Sequence, residues 1–368
     1  MKKHFNFGEF NTTVHISNEI PAMHKIAFDL VKKASFKPLV IADEHTAHIA
    51  GIICGGGDYP CCVLKSGEEH KNWHSVETIL ATALKAGLGR DGVFIAVGGG
   101  VIGDLAGFAA SIYMRGCRFV LVSTTLLGMV DASVGGKTGF DLFEIKNLTG
   151  SFYPAETVYL PVDVLSTLSK KEWKSGMAEL IKTAILAGDD FLDKLAENKE
   201  QLKNFEKRKL NKEQETIIHE FIERAVSFKG GIVSEDLRET ENGKRKLLNL
   251  GHTFGHALES AAGFGHVSHG EAAAWGIVQA CKLGIKLEIT PPARAEKIVK
   301  LIEYFGYETA APHPLADNAA ALLHAMDSDK KKHSGKMTFI VPNENSACPV
   351  TLEKKEVKLI EKILNGNI

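Results

Sequence analysis

The chain has 368 residues, 44% hydrophobic and 24% charged, and its 44 Lys and Arg nearly cancel its 45 Asp and Glu. That length accommodates two domains with separate cores, and the balanced charge excludes a nucleic-acid backbone or an anionic membrane as the partner, so anion binding must come from local clusters. The basic start MKKHFNFGEF has no apolar stretch behind it and no later run reaches membrane-spanning length, which points to a cytoplasmic protein.

From Phe5 to Ile16 polar and apolar residues alternate around Gly8, predicting a short hairpin that leads into a helix near Pro21 to Lys33. A continuous apolar strand, PLVIAD, ends on Asp43, which places a carboxylate at the carboxyl end of a sheet, where open α/β sheets bind ligands. CCVLKSGEEHK repeats the theme, a strand running into a polar loop that carries Glu68 and Lys71, and a helix follows to about Gly87. The six cysteines include the adjacent Cys61 and Cys62 but no C-x-x-C pair, so they read as buried small hydrophobes and not as a disulfide framework or thiolate metal site.

The strongest α/β signal is VFIAV (93–97), then GGGVIGD, then the small-residue helix LAGFAAS. Gly98, Gly100 and Gly103 satisfy G-x-G-x-x-G with a strand before and a helix after, the context in which bare backbone lets a pyrophosphate reach a helix N-terminus. A tight turn without a ligand is the alternative. The acidic ribose partner usually found about 20 positions later is missing, which leaves Asp43 as the candidate. Another strand, RFVLVST (118–124), feeds TTLLGMVDASVGGKTGF, whose GGKT resembles the end of a P-loop. Asp131 stands where that motif needs its first glycine, so a nucleotide triphosphatase is rejected.

After TVYLP (157–161) the strand signal almost vanishes, which sets a domain boundary near Pro161: an α/β domain over 1–161 and a mostly helical one over 162–368. EWKSGMAELIKTAILAG is an amphipathic helix with Glu179 and Lys182 on one face, either a surface ion pair or a pair buried beside a ligand. Residues 189–215 are a charge-rich helical run read as a solvated face, and a second helix runs to Lys229. SEDLRETENG is a loop. The C-terminal segment holds helices, DKKKHSG, one strand KMTFIVP and a closing amphipathic helix.

The stretch RKLLNLGHTFGHALESAAGFGHVSHGE (245–271), read as one helix, places Asn249, His252, His256 and Glu259 on a single stripe. Two histidines four apart can face one metal ion, with His266 or His269 supplied by the glycine-rich turn and Glu271 opening the next helix. Capped or solvated histidines are the bland alternative. Thr253, not Glu, follows His252, so the H-E-x-x-H peptidase pattern is absent.

SGEEHK, GGGVIGDLAGFAAS, STTLLGMVDASVGGKTG, KNLTGSFYP, GMAELIKTAI, RKLLNLGHTFGHALE, HGE and DKK occur in an order that resembles the 3-dehydroquinate synthases. The resemblance implies a Rossmann-like α/β NAD-binding domain followed by a mostly α-helical metal-binding domain, a homodimer, and a sugar phosphate as substrate. It implies Glu179, His252 and His269 as ligands of Zn²⁺ or Co²⁺, with His256 as a proton-transfer group. Asp131, Lys137, Asn147, Lys182, Lys229, Arg245, Asn249, His256 and Lys331 would serve the substrate, and Arg115 would reach the neighbouring subunit's site. NAD would be held by Asp43, Glu68, Lys71, Gly100, Val101, Ile102, Gly103, Asp104, Thr124, Thr125, Lys137, Lys146 and Thr167. In FDLFEIKN an isoleucine, Ile145, precedes Lys146 where a glycine is expected, which puts the local backbone path in question. Metal-dependent polyol dehydrogenases and other sugar-phosphate cyclases are the rival readings. The first would have no use for so many anion-binding lysines.

Overall fold

The computed structural model describes residues 1–30, 36–143, 145–203, 210–263, 266–330, 337–353 and 356–365, the side chains of 317 and 327–330 excepted. The chain forms two compact units, Met1–Ser169 with Glu206–Arg238, and Lys170–Phe205 with Glu239–Ile368.

The first unit contains β1 (Lys2–Phe7), β2 (Phe10–Ser17), β3 (Lys37–Asp43), β4 (Cys61–Leu64), β5 (Gly92–Gly98), β6 (Arg118–Ser123), β7 (Lys137–Leu142), β8 (Ile145–Phe152) and β9 (Thr157–Pro161). Seven of them make one sheet in the order β1-β2-β9-β6-β5-β3-β4. The β1–β2 hairpin is antiparallel and every other pairing in that sheet is parallel. Every residue of β5 is buried, as a parallel strand covered on both faces requires. From β3 the chain moves outward to β4, then returns to β5 and proceeds the other way to β6. The crevice between the carboxyl ends of β3 and β5 is therefore the topological switch point, where such sheets bind ligands.

A single cut at Pro161 does not describe this division. A 3₁₀ turn, Val162–Thr167, stays with the first unit, and the helix Lys212–Glu235 returns to it from the middle of the second half. That helix lies against β1: a Cβ at Gly230 would come within 2.1 Å of the Phe5 ring, and Lys3 bridges Glu223 at 2.7 Å. The charge-rich run is also more than a solvated face, since Phe191, Leu192, Leu195 and Leu202 are buried, and Asp189 pairs with buried Arg294 at 2.9 Å. Among the cysteines Cys62, Cys117 and Cys281 are buried, but Cys61 is exposed.

The second unit is built on the helices Lys170–Ala187, His252–Ala262 and His269–Lys286. Glycines let them approach closely: a Cβ at Gly270 would meet the Ser175 Cα at 2.5 Å, and one at Gly255 the Ala272 carbonyl at 2.8 Å. Phe254, Trp275 and Phe339 anchor the core behind them. The C-terminal segment carries a second strand beyond the one expected, β10 (Met337–Pro342) pairing antiparallel with β11 (Ala347–Leu352). Pro349 masked β11 in the sequence, yet a two-stranded ribbon tolerates proline at an edge. Among the described residues, no helix is long and apolar enough to cross a membrane.

Candidate active site

In the second unit the close helix packing sets three ligand-type side chains together. Glu179, His252 and His269 have ligand atoms within 4.8 Å of one another. Glu179 is fully buried, its Oε1 lies 3.1 Å from His269 Nε2 and 3.6 Å from His252 Nε2, and its other oxygen faces the buried Lys182 ammonium in an ion pair. Burial alone would raise the Glu179 carboxyl, but Lys182, with His269 and His252, holds it well below the usual carboxylate range. Burial, then the charge of Lys182, pushes the His252 imidazole down to about 3, so this ring is neutral and has a lone pair to offer. Burial also works to lower His269, yet its hydrogen bond to Glu179 and the nearby Glu259 carboxylate outweigh that and raise it to about 10.

This donor set fits a divalent ion of the zinc type. One carboxylate and two imidazoles make an open three-ligand site, and each ring is held from behind, which fixes its tautomer and direction. His252 Nδ1 lies 3.1 Å from the Leu250 carbonyl, and His269 Nδ1 lies 3.6 Å from Oε2 of Glu259, whose side chain is only 8% exposed. A second grouping, His256 with Glu259 and His269, also has ligand atoms within 4.8 Å. It is the poorer cage, because His256 is exposed and Glu259 already steadies His269.

The stretch 245–271 is not one helix. Lys244–Asn249 is a 3₁₀ turn, Gly251 takes a left-handed φ of 79°, and the α-helix starts at His252. A Cβ at Gly251 would strike the Ile277 backbone nitrogen at 2.7 Å, so packing against the next helix forces the break. Asn249 therefore leaves the histidine stripe and donates to Glu239 Oε1 at 2.6 Å. The next helix opens at His269, with Ser268 and Glu271 forming a reciprocal cap, so Glu271 is its third residue.

The first unit holds the glycine turn and the residues that the resemblance assigns to the cofactor. Thr46 donates to Val97 O at 2.8 Å and to Asp43 Oδ1 at 2.8 Å, which ties the ends of β3 and β5 together at the switch point. The glycines of the turn are there for different reasons. At Gly98 a Cβ would meet Ile102 Cβ at 2.6 Å, so packing excludes a side chain, whereas at Gly100 the nearest atom is Ala132 Cβ at 3.8 Å. Among the described residues no atom comes close enough to require glycine at 100; a ligand pressed against the helix N-terminus would. This cradle, which a Cβ would fill, fits a dinucleotide. The adjoining cavity is lined by Gly99, Gly100, Gly103, Asp104, Lys137 and Thr138 among others.

Lys229 Nζ donates to Asp131 at both Oδ1 (2.6 Å) and the carbonyl oxygen (2.8 Å). Lys71 Nζ pairs with Asp104 Oδ2 at 2.7 Å and donates to Asn147 Oδ1 at 2.6 Å. Burial works to lower the Lys71 ammonium, but Asp104 and Glu68 raise it, so it stays charged.

Residues 61–175 match the family model described as 3-dehydroquinate synthase N-terminal, and residues 176–332 the one described as 3-dehydroquinate synthase C-terminal. The 3-dehydroquinate synthase of Colwellia psychrerythraea (strain 34H) is 41% identical over 280 residues, 76% of each chain. The chain belongs to the 3-dehydroquinate synthase family. Two solved structures share its fold. A 2-deoxy-scyllo-inosose synthase complexed with carbaglucose-6-phosphate, NAD+ and Co2+ has a TM-score of 0.80 at 24% identity, covering 100% of this chain and 99% of the other. ValA, a 2-epi-5-epi-valiolone synthase from Streptomyces hygroscopicus subsp. jinggangensis 5008 with NAD+ and Zn2+ bound, has a TM-score of 0.80 at 23% identity, covering 96% and 97%.

The remaining residues that the family resemblance singled out fall as follows. Arg245 is buried; Lys137 and Lys146 are exposed. Thr124 N donates to Gly98 O at 2.9 Å, Thr125 Oγ1 accepts from Gly128 N at 3.0 Å, and the Thr167 hydroxyl is spent on Val164 O at 2.7 Å. Arg115 is exposed at the end of a turn in which Met114 and Arg115 both adopt positive φ, 51° and 70°. Lys331 lies outside the described residues. The question raised by Ile145 is answered by a register shift: Phe140 pairs with Thr149 and Leu142 with Ile145, so Lys146, Asn147 and Leu148 bulge opposite Asp141. Asp141 and Glu239 escaped the sequence reading because each acts through a residue distant in the pattern, and neither is marked by spacing.

Proposed function

We propose that this protein converts 3-deoxy-D-arabino-heptulosonate 7-phosphate into 3-dehydroquinate and inorganic phosphate, a carbon–oxygen lyase step of the shikimate pathway toward chorismate and the aromatic amino acids. The observation that carries the reading is a sequence identity of 41% over three quarters of the chain, joined to a buried carboxylate/bis-imidazole cluster and a glycine turn whose openness packing does not explain. The two other cyclases compared share the fold at 24% and 23% identity. A polyol dehydrogenase would leave the Lys229–Asp131 and Lys182–Glu179 pairs without an anionic substrate to serve.

When bound, NAD supplies reversible hydride transfer at C5, and a zinc or cobalt ion held by Glu179, His252 and His269 supplies Lewis acidity at the substrate's oxygens. The chain's own residues do the rest. Lys182, Lys229, Arg245, Lys137 and Lys331 meet the carboxylate and phosphate with charge-assisted hydrogen bonds. Asp131 holds the Lys229 ammonium in place through two bonds. Asn147 and Asn249 orient hydroxyls, and His256, exposed beside His252, moves protons as phosphate departs and the ring closes. Arg115, displayed on its left-handed turn, is assigned to the neighbouring subunit's substrate, so a homodimer belongs to this proposal, as does a cytoplasmic setting.

The test is phosphate release from the heptulosonate phosphate, with and without NAD. NAD is required but not consumed: phosphate accumulates while NADH absorbance does not rise in proportion. Stoichiometric NADH formation would replace this reading by a polyol dehydrogenase.

A further inference from the structure

We infer that Asp141 is a positioning residue, which uses the bulge between β7 and β8 to fix Asn147 against Lys71. The inference rests on the reading above for the roles of those two partners, but its geometry stands apart from it. Three residues, Lys146 to Leu148, occupy the space opposite Asp141, a wide irregularity of the sort that redirects side chains next to ligand sites. Such a loop of backbone holds one shape only if its freed amides find acceptors. Asn147 sits at a φ of 52°, a conformation costly for a residue with a Cβ, and its N–H donates to Asp141 Oδ1 at 2.7 Å.

The same aspartate reaches back to the cofactor-side lysine through its main chain, its N–H donating to the Lys71 carbonyl at 2.7 Å. Lys71 Nζ then donates to the Asn147 side chain at 2.6 Å, which closes a ring of hydrogen bonds through Lys71, Asn147 and Asp141. Removing Asp141 takes away a negative charge that favours the Lys71 ammonium, as removing any carboxylate of the cluster would. Removing Asp141 releases the shape of the bulge and with it the direction of the Asn147 amide. The acceptor oxygen, rather than the negative charge, is what the positioning role needs.

Three full-length chains decide this: wild type, Asp141→Ala and Asp141→Asn. In Asp141→Ala, hydrogen exchange over residues 145–149 speeds up, and both the NAD Kd and the substrate KM rise about tenfold, the order of one lost hydrogen bond to a carboxylate, while kcat changes little. Asp141→Asn keeps an oxygen at the same place and restores all three readouts. Faster exchange with unchanged NAD Kd and KM would reduce Asp141 to a scaffold residue and overturn the inference. So would an Asp141→Asn chain as impaired as Asp141→Ala. If wild type itself releases no phosphate, the proposed reaction fails, and NAD affinity and hydrogen exchange still judge the role of Asp141.

Discussion

Glu179→Ala separates what the cluster does for stability from what it does for metal binding. Glu179 and Lys182 are 0% and 2% exposed, so the substitution takes the carboxylate away from a buried ammonium. Breaking one partner of such a pair costs about 3–5 kcal/mol, whereas replacing both by apolar groups of similar volume is often neutral. In chelated protein at pH 7, Glu179→Ala is therefore destabilised by about 3–5 kcal/mol, and Glu179→Met combined with Lys182→Met recovers most of that loss. The contribution is present above the unfolded carboxyl value of 4.5 and disappears as pH falls through the depressed folded value. Zinc at a hundred times its Kd adds about 2.7 kcal/mol to wild type and nothing to either variant, because both lack the ligand. Urea unfolding followed by tryptophan fluorescence reads the second unit directly, since Trp173 and Trp275 are buried within it, provided Trp73 of the first unit is replaced by phenylalanine. A Glu179→Ala chain within about 1 kcal/mol of wild type would refute the argument that this buried pair depends on both of its partners.

His252→Ala loses the metal, measured by equilibrium dialysis, whereas His256→Ala keeps it and loses turnover; metal lost from His256→Ala but kept by His252→Ala would move the site to the His256, Glu259 and His269 grouping, and equal loss in both would refute the ligand assignment. Gly100→Ala leaves the melting temperature close to wild type, because its Cβ meets nothing nearer than 3.8 Å, yet weakens NAD binding at least tenfold by about 1.4 kcal/mol or more, read by titration calorimetry. Unchanged NAD affinity there would take the dinucleotide away from the glycine turn. Mixing Arg115→Ala with Lys182→Ala chains regains activity through heterodimers that contain one intact site. If heterodimers form and activity stays at the parental level, Arg115 acts within its own subunit or not at all.

Much of the fold could be read from periodicity and punctuation. The apolar runs ending at Asp43, Val97 and Ser123 are parallel strands buried on both faces, which leave an unmistakable hydrophobic signature. Pro349 hid β11, and the left-handed break at Gly251 hid the true start of the histidine helix, since a glycine within a helical pattern does not announce whether it bends the chain. Helical spacing alone paired His252 with His256 and left His266 or His269 open; Glu179 and the choice of His269 came from the family resemblance, and the fold groups Glu179, His252 and His269. The hydrogen-bonded ring of Lys71, Asn147 and Asp141 was not. It joins residues 70 and more positions apart through a bulge, and a register shift leaves no periodic mark.

The return of the helix Lys212–Glu235 to the first unit has a consequence for the order in which the molecule can be made. Strands β1 to β9 leave the ribosome early, but the helix that puts Gly230 against Phe5 and Lys229 against Asp131 follows only after the first helices of the other unit. Until then the nascent sheet has no cover over β1 and its Asp131 has no ammonium from Lys229. A fragment ending at Ser169 lacks that helix, and one beginning at Lys170 carries it with nothing of its own unit to pack on. The two halves of the gene therefore do not correspond to the two halves of the protein, and neither can be expected to mature before about residue 238 has been synthesised.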